Sequence, residues 1–411
     1  MVAGLHFGGY EMSTRIANRI SKLGGEGAFE VQKRVELLRR EGKNIIACHI
    51  GQPDRPTPKP IVDEAIKALN AGDHGYTPSG GKIAMRETAA DWLSKTRGVH
   101  YDWDQVIITP GAKPAIFLAL LATIEPGDEV IYPDPGYPTY GSVIPFLGAI
   151  PKPLPLVEVL GFRFQLDHLK KLINPGKTKM IILNSPENPT GGVLTDDDMR
   201  GIAELCLKYD LMVFSDEIYS QIIYDDTHRS ICQQPGMYDR AMIMDGHSKT
   251  FAMTGWRLGF VAGTKEFARA VELLMTNSNS CAGSFTQTAG KLALTMDQTP
   301  VLEMVKEFKR RRDMIVERSQ SVKGVTCHKP QGAFYIFPNV KVFGKSSKDI
   351  AEYLLTGASK QGVGKSIGVD GVSVLPGSAF GPYGEGYIRL SYANSYENLE
   401  LACEFIKEAF S

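Results

Sequence analysis

Apolar positions along the chain follow two rhythms. In the first hundred residues most recur at helical spacing. EGAFEVQKRVELLRREGK places Phe29, Val31, Val35, Leu37 and Leu38 on a helix that Gly42 stops, after an irregular N-terminal arm. NIIACHIGQPD reads as a short strand running into a Gly/Pro loop. PKPIVDEAIKALNAG is an amphipathic helix with proline at its start and glycine at its end. HGYTPSGG is a turn-rich loop, and KIAMRETAADWLSKTRG is helical again.

From about residue 105 short apolar runs alternate with helices. QVIITPGAKPAIFLALLATI is strand, glycine turn, helix, and DEVIYPDPGYPTYGSVIPFLG repeats it. TKMIILNSPENPTGG is a strand and loop, DDDMRGIAELCLKYD a helix opened by acids, and LMVFSDEIYS and RAMIMDGHSKT are further strands. Apolar runs of this kind predict an α/β fold, a mostly parallel sheet covered on both faces. The long charged helix PVLEMVKEFKRRRDMIVERSQSV follows, and its KRRR run is read as a solvated face. Short strands (GAFYIFPNV, VSVLPGSAF, GYIRLSYA) then mix with helices (SSKDIAEYLLTGASKQG, ENLELACEFIKEAF), which suits a smaller α+β domain. The expected division is an arm and helix over 1–45, a large domain over 46–290, and an interdomain helix with a small domain over 291–411.

Composition narrows the functions. Lys+Arg and Asp+Glu both number 46, so bulk charge does not favour a nucleic-acid partner. No apolar run reaches membrane-spanning length, and no secretory leader is expected. The six cysteines are scattered without CxxC spacing, so neither a disulfide framework nor a metal site is expected, and the thiols suit a cytoplasmic protein. No GxGxxG follows a strand, which sets aside a dinucleotide oxidoreductase.

In an open parallel sheet, ligands sit beyond the carboxyl ends of the strands. Gly111, Asn188, Asp216, Tyr219 and Lys249 all follow predicted strands and should converge. A lysine amine can form a Schiff base with a carbonyl. ITPGAK puts backbone N–H groups at a helix start, a ready anion site, and Arg257 in TGWR is a bidentate partner for a phosphate. Asp216 should be half-buried and need a partner such as a protonated ring nitrogen. Tyr219 and Asn188 could bond a phenolate oxygen, and Tyr137 in DPGYP could stack on a flat ring. Each residue alone has a bland reading: a turn acid, a surface lysine, a packing motif. Together they describe a pocket for pyridoxal phosphate.

The set HGYTPSGG, TPGAK, DPGYP, NSPENPTGG, SDEIYS, HSKTFAMTGWRLG and YIRLSYA resembles the class I aminotransferases of pyridoxal-phosphate fold type I. The looser HIGQPDRPTP is similar to their N-terminal loop, and the likeness runs from about residue 13 to the C-terminus. It implies a large domain with a mostly parallel sheet of seven-stranded type, and a homodimer with shared sites. It implies that Lys249 is the Schiff-base lysine and the base that moves the substrate Cα proton. Asp216 would pair with the pyridine nitrogen, and Tyr219 and Asn188 with the phenolate oxygen. Gly111, Ala112, Lys113 and Arg257 would hold the phosphate, helped by Tyr76 from the other subunit. Tyr137 would stack on the ring. Arg389 would clamp the substrate α-carboxylate, with Asn188 and the backbone at Gly51. The implied reaction moves the amino group of an L-amino acid to a 2-oxo acid by a ping-pong route. The donor would be aspartate or an aromatic amino acid and the acceptor 2-oxoglutarate; elimination, decarboxylation or oxidation on the same scaffold is the alternative.

The chain departs from the resemblance in places. A serine that touches the phosphate in the aspartate enzymes is Gly246 here, with His247 or Ser248 as candidates to compensate. The arginine that reads acidic side chains from the partner subunit has no match in LLMTNSNSCAG. Lys113 and Arg55 are the two candidates for reading a distal carboxylate instead. The loop 278–284 is expected to line the site from the partner subunit.

Overall fold

The computed structural model describes residues 16–25 and 27–411. The arm expected ahead of the first helix lies, up to residue 15, outside the described residues. The first helix spans Gly27–Arg40, and strand β1 (Ile45–Ala47) follows it.

The next strands are β2 (Val106–Thr109), β3 (Glu129–Asp134), β4 (Ile150–Pro155), β5 (Thr178–Asn184), β6 (Met212–Asp216), β7 (Ala241–Gly246) and β8 (Gly259–Ala262). They form one seven-stranded sheet in the order β2-β8-β7-β6-β5-β3-β4. Only β8 runs against the others, pairing antiparallel with both β2 and β7. The alternation of side chains along each strand divides the apolar residues between two cores. Ile181, Leu183, Val213, Ile243 and Phe260 face one core, while Met180, Ile182, Phe214, Met242, Met244 and Val261 face the other. Burial on both faces is why these strands read as unbroken apolar runs. Strand β4 breaks that pattern, because IPKPLP has three prolines. It survives as the sheet's edge, where a missing N–H costs no inner ladder bond.

The C-terminal part carries β9 (Tyr335–Ile336), β10 (Gly371–Ser373), β11 (Leu375–Pro376) and β12 (Ile388–Ser391). Strand β12 lies between β11 and β9, and β10 pairs in parallel with β1. Ile46 and Cys48 therefore pack with the C-terminal core, which also takes Ile218, Tyr219 and Ile222 from the loop after β6.

The KRRR run corrects the solvated-face expectation. Arg310 is exposed, but Arg311 and Arg312 are buried on the long helix Thr299–Gln320. Arg311 reaches Asp54 at 2.8 Å. Arg312 donates to the Pro330 carbonyl at 3.0 Å and pairs with Asp225, its guanidinium 4.6 Å from the Tyr224 ring centroid. Long stems and planar heads let arginines cover apolar surface while reaching acceptors on other elements, which periodicity along one helix does not reveal.

Candidate active site

The parallel strands end on one edge of the sheet, and that edge carries the polar residues. Strand β2 leads through Gly111, φ +97°, into the helix Ala112–Thr123. A Cβ at Gly111 would stand 2.3 Å from the Arg257 guanidinium, so bare backbone lets Arg257 rest against the start of that helix. Arg257 reaches this edge because β8 is antiparallel: the residues before it return to the end where β7 stopped. That geometry explains the eight-residue spacing from Lys249. Arg257 holds φ 54°, an uncommon region for a long side chain, and donates to the Thr254 carbonyl at 2.9 Å. The helix start and this guanidinium form a cradle for a dianion.

Strand β6 ends on Asp216, which is fully buried rather than half-buried, at 4 % exposure. The Tyr140 hydroxyl donates to it at 2.6 Å and the Ile218 N–H at 3.2 Å. Burial pushes its carboxyl up to about 7 even against the Tyr140 hydrogen bond. Among the described residues no ion pair includes Asp216, so a protonated ring nitrogen would supply the charge this site lacks.

Lys249 lies on the short helix His247–Thr250 directly after β7. Its Nζ donates to the Gly51 carbonyl and lies 6.0 Å from the Tyr219 ring and 5.9 Å from the Phe334 ring. Tyr219 is buried with its hydroxyl 2.7 Å from that of Tyr335. Burial, then the neighbouring Tyr335, raise it well above the ordinary phenol range, so it stays protonated and can donate.

Across the cavity Arg389, on β12, donates to Asn188 Oδ1 at 2.8 Å and to the His49 carbonyl at 2.6 Å. Its guanidinium packs against Tyr335 and Phe380, 4.3 and 4.9 Å from the ring centroids. The Asn188 N–H is tied to Asn184 Oδ1 at 3.0 Å. Tyr137 meets Tyr140 edge-on, and the Lys113 ammonium lies 5.7 Å from the Phe29 ring and 5.8 Å from the Tyr137 ring.

These groups surround one cavity of about 510 Å³, within the range of small-ligand sites. Gly51, Ala112, Lys113, Tyr137, Asn188, Asp216, Tyr219, Lys249, Arg257 and Arg389 line it, and Gly111 backs Arg257. Tyr76 does not join them; it stands at the surface, 93 % exposed. Arg55 is exposed and outside the lining; the loop 278–284, in which Ala282 and Ser284 are buried, also lies outside it. Ser248 lines the cavity, whereas His247 is buried against the Gly290 carbonyl at 3.1 Å. A Cβ at Gly246 would lie 3.0 Å from the Gly259 backbone, leaving little room for a serine there. The residues fit pyridoxal phosphate: an anion cradle, a buried acid without a cation, a protonated phenol and an amine share one space. No described cluster of His, Cys, Asp or Glu could hold a metal.

Two lining or supporting residues escaped the sequence reading. Tyr140 sits three residues after Tyr137, one helical turn on, and that spacing was a usable signal. Tyr335 lies in the apolar stretch GAFYIF and reads as core.

Comparison with known proteins agrees with this geometry. The family model for aminotransferase class I and II matches residues 43–406. The chain is 40 % identical over 366 residues to an aspartate aminotransferase of Pyrococcus abyssi, covering 88 % of this chain and 90 % of that protein. It is 38 % identical over 380 residues to aromatic-amino-acid aminotransferase 2 of Thermococcus litoralis, covering 91 % and 94 %. Its fold superposes with a TM-score of 0.89, at 30 % identity, on the solved Thermus thermophilus aspartate aminotransferase with maleate, covering 96 % and 99 %.

Proposed function

The chain belongs to the class I and II aminotransferases, pyridoxal-phosphate enzymes of fold type I, and on that premise we propose that the cavity around Lys249 is its active site. The observation that carries this is the meeting of Lys249, buried Asp216 and glycine-backed Arg257 around a single space. Bound pyridoxal phosphate supplies an aldehyde for the substrate amine and a ring that withdraws electrons from the substrate Cα–H bond. Asp216 would hold the ring nitrogen and keep its proton there. Tyr219 Oη would donate to the phenolic oxygen, and Asn188, which accepts from Arg389, would bond the same edge. The helix start at Gly111–Lys113, with Arg257, binds the phosphate and fixes register. Arg389 fixes the α-carboxylate, with the Gly51 backbone beside it. Lys249 Nζ would take the substrate Cα proton and hold it for redelivery within the same exchange.

We read residues 46–290 as the large cofactor-binding domain, apart from Ile46–Cys48, which pack with the C-terminal core, 291–411 as the interdomain helix and small domain, and 1–45 as an arm and helix joining the latter. We read the active unit as a homodimer in which Tyr76 of one chain completes the phosphate cradle of the other. Its full exposure supports this. Tyr76→Phe should weaken cofactor retention, and mixing it with Lys249→Ala should restore activity in mixed dimers; no gain on mixing would remove the shared site. The six free thiols support a cytoplasmic location, and no described helix is long and apolar enough to cross a membrane.

For substrate we propose an aspartate or aromatic donor with 2-oxoglutarate as acceptor, Lys113 reading the distal carboxylate. Its ammonium lines the cavity between aromatic rings that also suit an aromatic side chain, while Arg55 lies outside. Lys113→Ala is expected to lower kcat/KM for dicarboxylates by roughly 10- to 100-fold, the worth of a charged hydrogen bond, and to spare aromatic donors. Arg55→Ala should change neither. Equal loss for both substrate classes, or a loss only in Arg55→Ala, would reassign the distal contact.

A further inference from the structure

We propose that Tyr335 is a positioning residue that tunes Tyr219 and links it to the Arg389 clamp. The inference rests on the reading of Tyr219 as the donor to the cofactor's phenolic oxygen.

Three of the contacts of Tyr335, which is 1 % exposed, bear on the site. Its hydroxyl is 2.7 Å from the Tyr219 hydroxyl, with the two rings nearly perpendicular. Its ring carries the Arg389 guanidinium at 4.3 Å. Its hydroxyl also occupies the space of a side chain at Gly51, where a Cβ would lie 2.1 Å away. Gly51 is the residue whose carbonyl accepts from Lys249 Nζ. One buried tyrosine thus touches the carboxylate clamp, the phenolate donor and the backbone that holds the lysine.

The proton count sets the direction. Tyr219 has one hydroxyl hydrogen. When it points at the cofactor oxygen, the contact with Tyr335 is kept only if Tyr335 donates to Tyr219 Oη. An accepted hydrogen bond polarises Tyr219 and makes it a stronger donor. Tyr335 therefore favours the ionised form of the phenolic oxygen, acting through Tyr219. Its ring packs under Arg389, so a carboxylate arriving at the clamp presses on the same side chain.

The test uses the holoenzyme and its visible absorption. Wild type, Tyr219→Phe and Tyr335→Phe are loaded with pyridoxal phosphate, the cofactor per chain is counted, and absorbance is titrated with pH. Tyr335→Phe keeps the ring and should bind one cofactor per chain. Its spectral midpoint should move upward by roughly 0.3 pH unit, about a twofold shift between the two forms. Tyr219→Phe should move it further, and the double variant should match Tyr219→Phe, because Tyr335 has no route left. Tyr335→Leu, which removes the ring, should also weaken maleate binding read from the same band. An unmoved or lowered midpoint in Tyr335→Phe, with Tyr219→Phe raised, overturns the proposal alone. An unmoved midpoint in Tyr219→Phe overturns the reading of Tyr219 beneath it.

Discussion

Lys249→Ala is expected to lower transamination by roughly ten-thousand-fold or more, since one side chain provides both the covalent tether and the base. The protein should still fold. The Nζ hydrogen bond to Gly51 contributes about 1 kcal/mol to a total of roughly 5–15 kcal/mol. The side chain ends in the open cavity, so truncation enlarges a solvated space and leaves no closed void. Cofactor should still bind through Asp216 and the Gly111–Arg257 cradle. Lys249→Arg keeps the positive charge but not a base that titrates in the working range, and should be as inactive. Single-turnover assays on both variants, with cofactor content measured in parallel, check this. Residual turnover within 100-fold of wild type would remove Lys249 from the proton transfer.

Arg97→Leu is expected to be the most destabilising single change near the site. Arg97 ends the helix Ile83–Arg97 and is fully buried. Its Nε donates to Glu217 at 2.8 Å and its Nη2 to Asp245 at 2.7 Å. Glu217 follows Asp216 at the end of β6, and Asp245 lies on β7 just before Lys249, so one guanidinium ties the two strand ends that carry the chemistry. Burial alone would raise Glu217, but His228 and Arg97 hold it down to about 2. Removing Arg97 leaves two buried carboxylates short of a cation, at a cost of roughly 3–5 kcal/mol. In wild type the depressed Glu217 contributes stability that is full above its unfolded pKa and is lost progressively as pH falls from there through about 2. In the variant the carboxyls rise, so the deficit should be larger at pH 8 than at pH 5. Urea denaturation at both pH values measures it. A loss under about 1 kcal/mol at pH 8 would mean the pair is not held by Arg97. Arg97→Lys, which cannot span both acids, should fall between.

Most of the fold was legible because strands buried on both faces read as short apolar runs, as in MIIL of β5, and surface helices show helical spacing, as in Ile61, Ala65 and Ala68. The convergence of Gly111, Asn188, Asp216, Tyr219 and Lys249 followed from strand ends in a parallel sheet. Strand β4 was hidden because its prolines mimic a loop, and its edge position only becomes apparent from the strand order. Arg311 and Arg312 were misread because their partners lie on other elements, 257 and 87 residues away in sequence for Asp54 and Asp225. The depth of Asp216 and its bond to Tyr140 depend on how the helix at 138–146 carries that hydroxyl to the end of β6, which no local pattern encodes. Tyr335 was hidden for the same reason: its hydroxyl, not its apolar ring, meets the site.

The most direct measurement adds single amino acids to the pyridoxal-phosphate-loaded protein without any oxo acid. Visible absorbance and released 2-oxo acid are followed together. The account predicts that aspartate or an aromatic amino acid converts the cofactor to its amine form, with one matching 2-oxo acid released per site. Spectral changes on binding without an oxo acid, or release of a different product, would contradict transamination at Lys249.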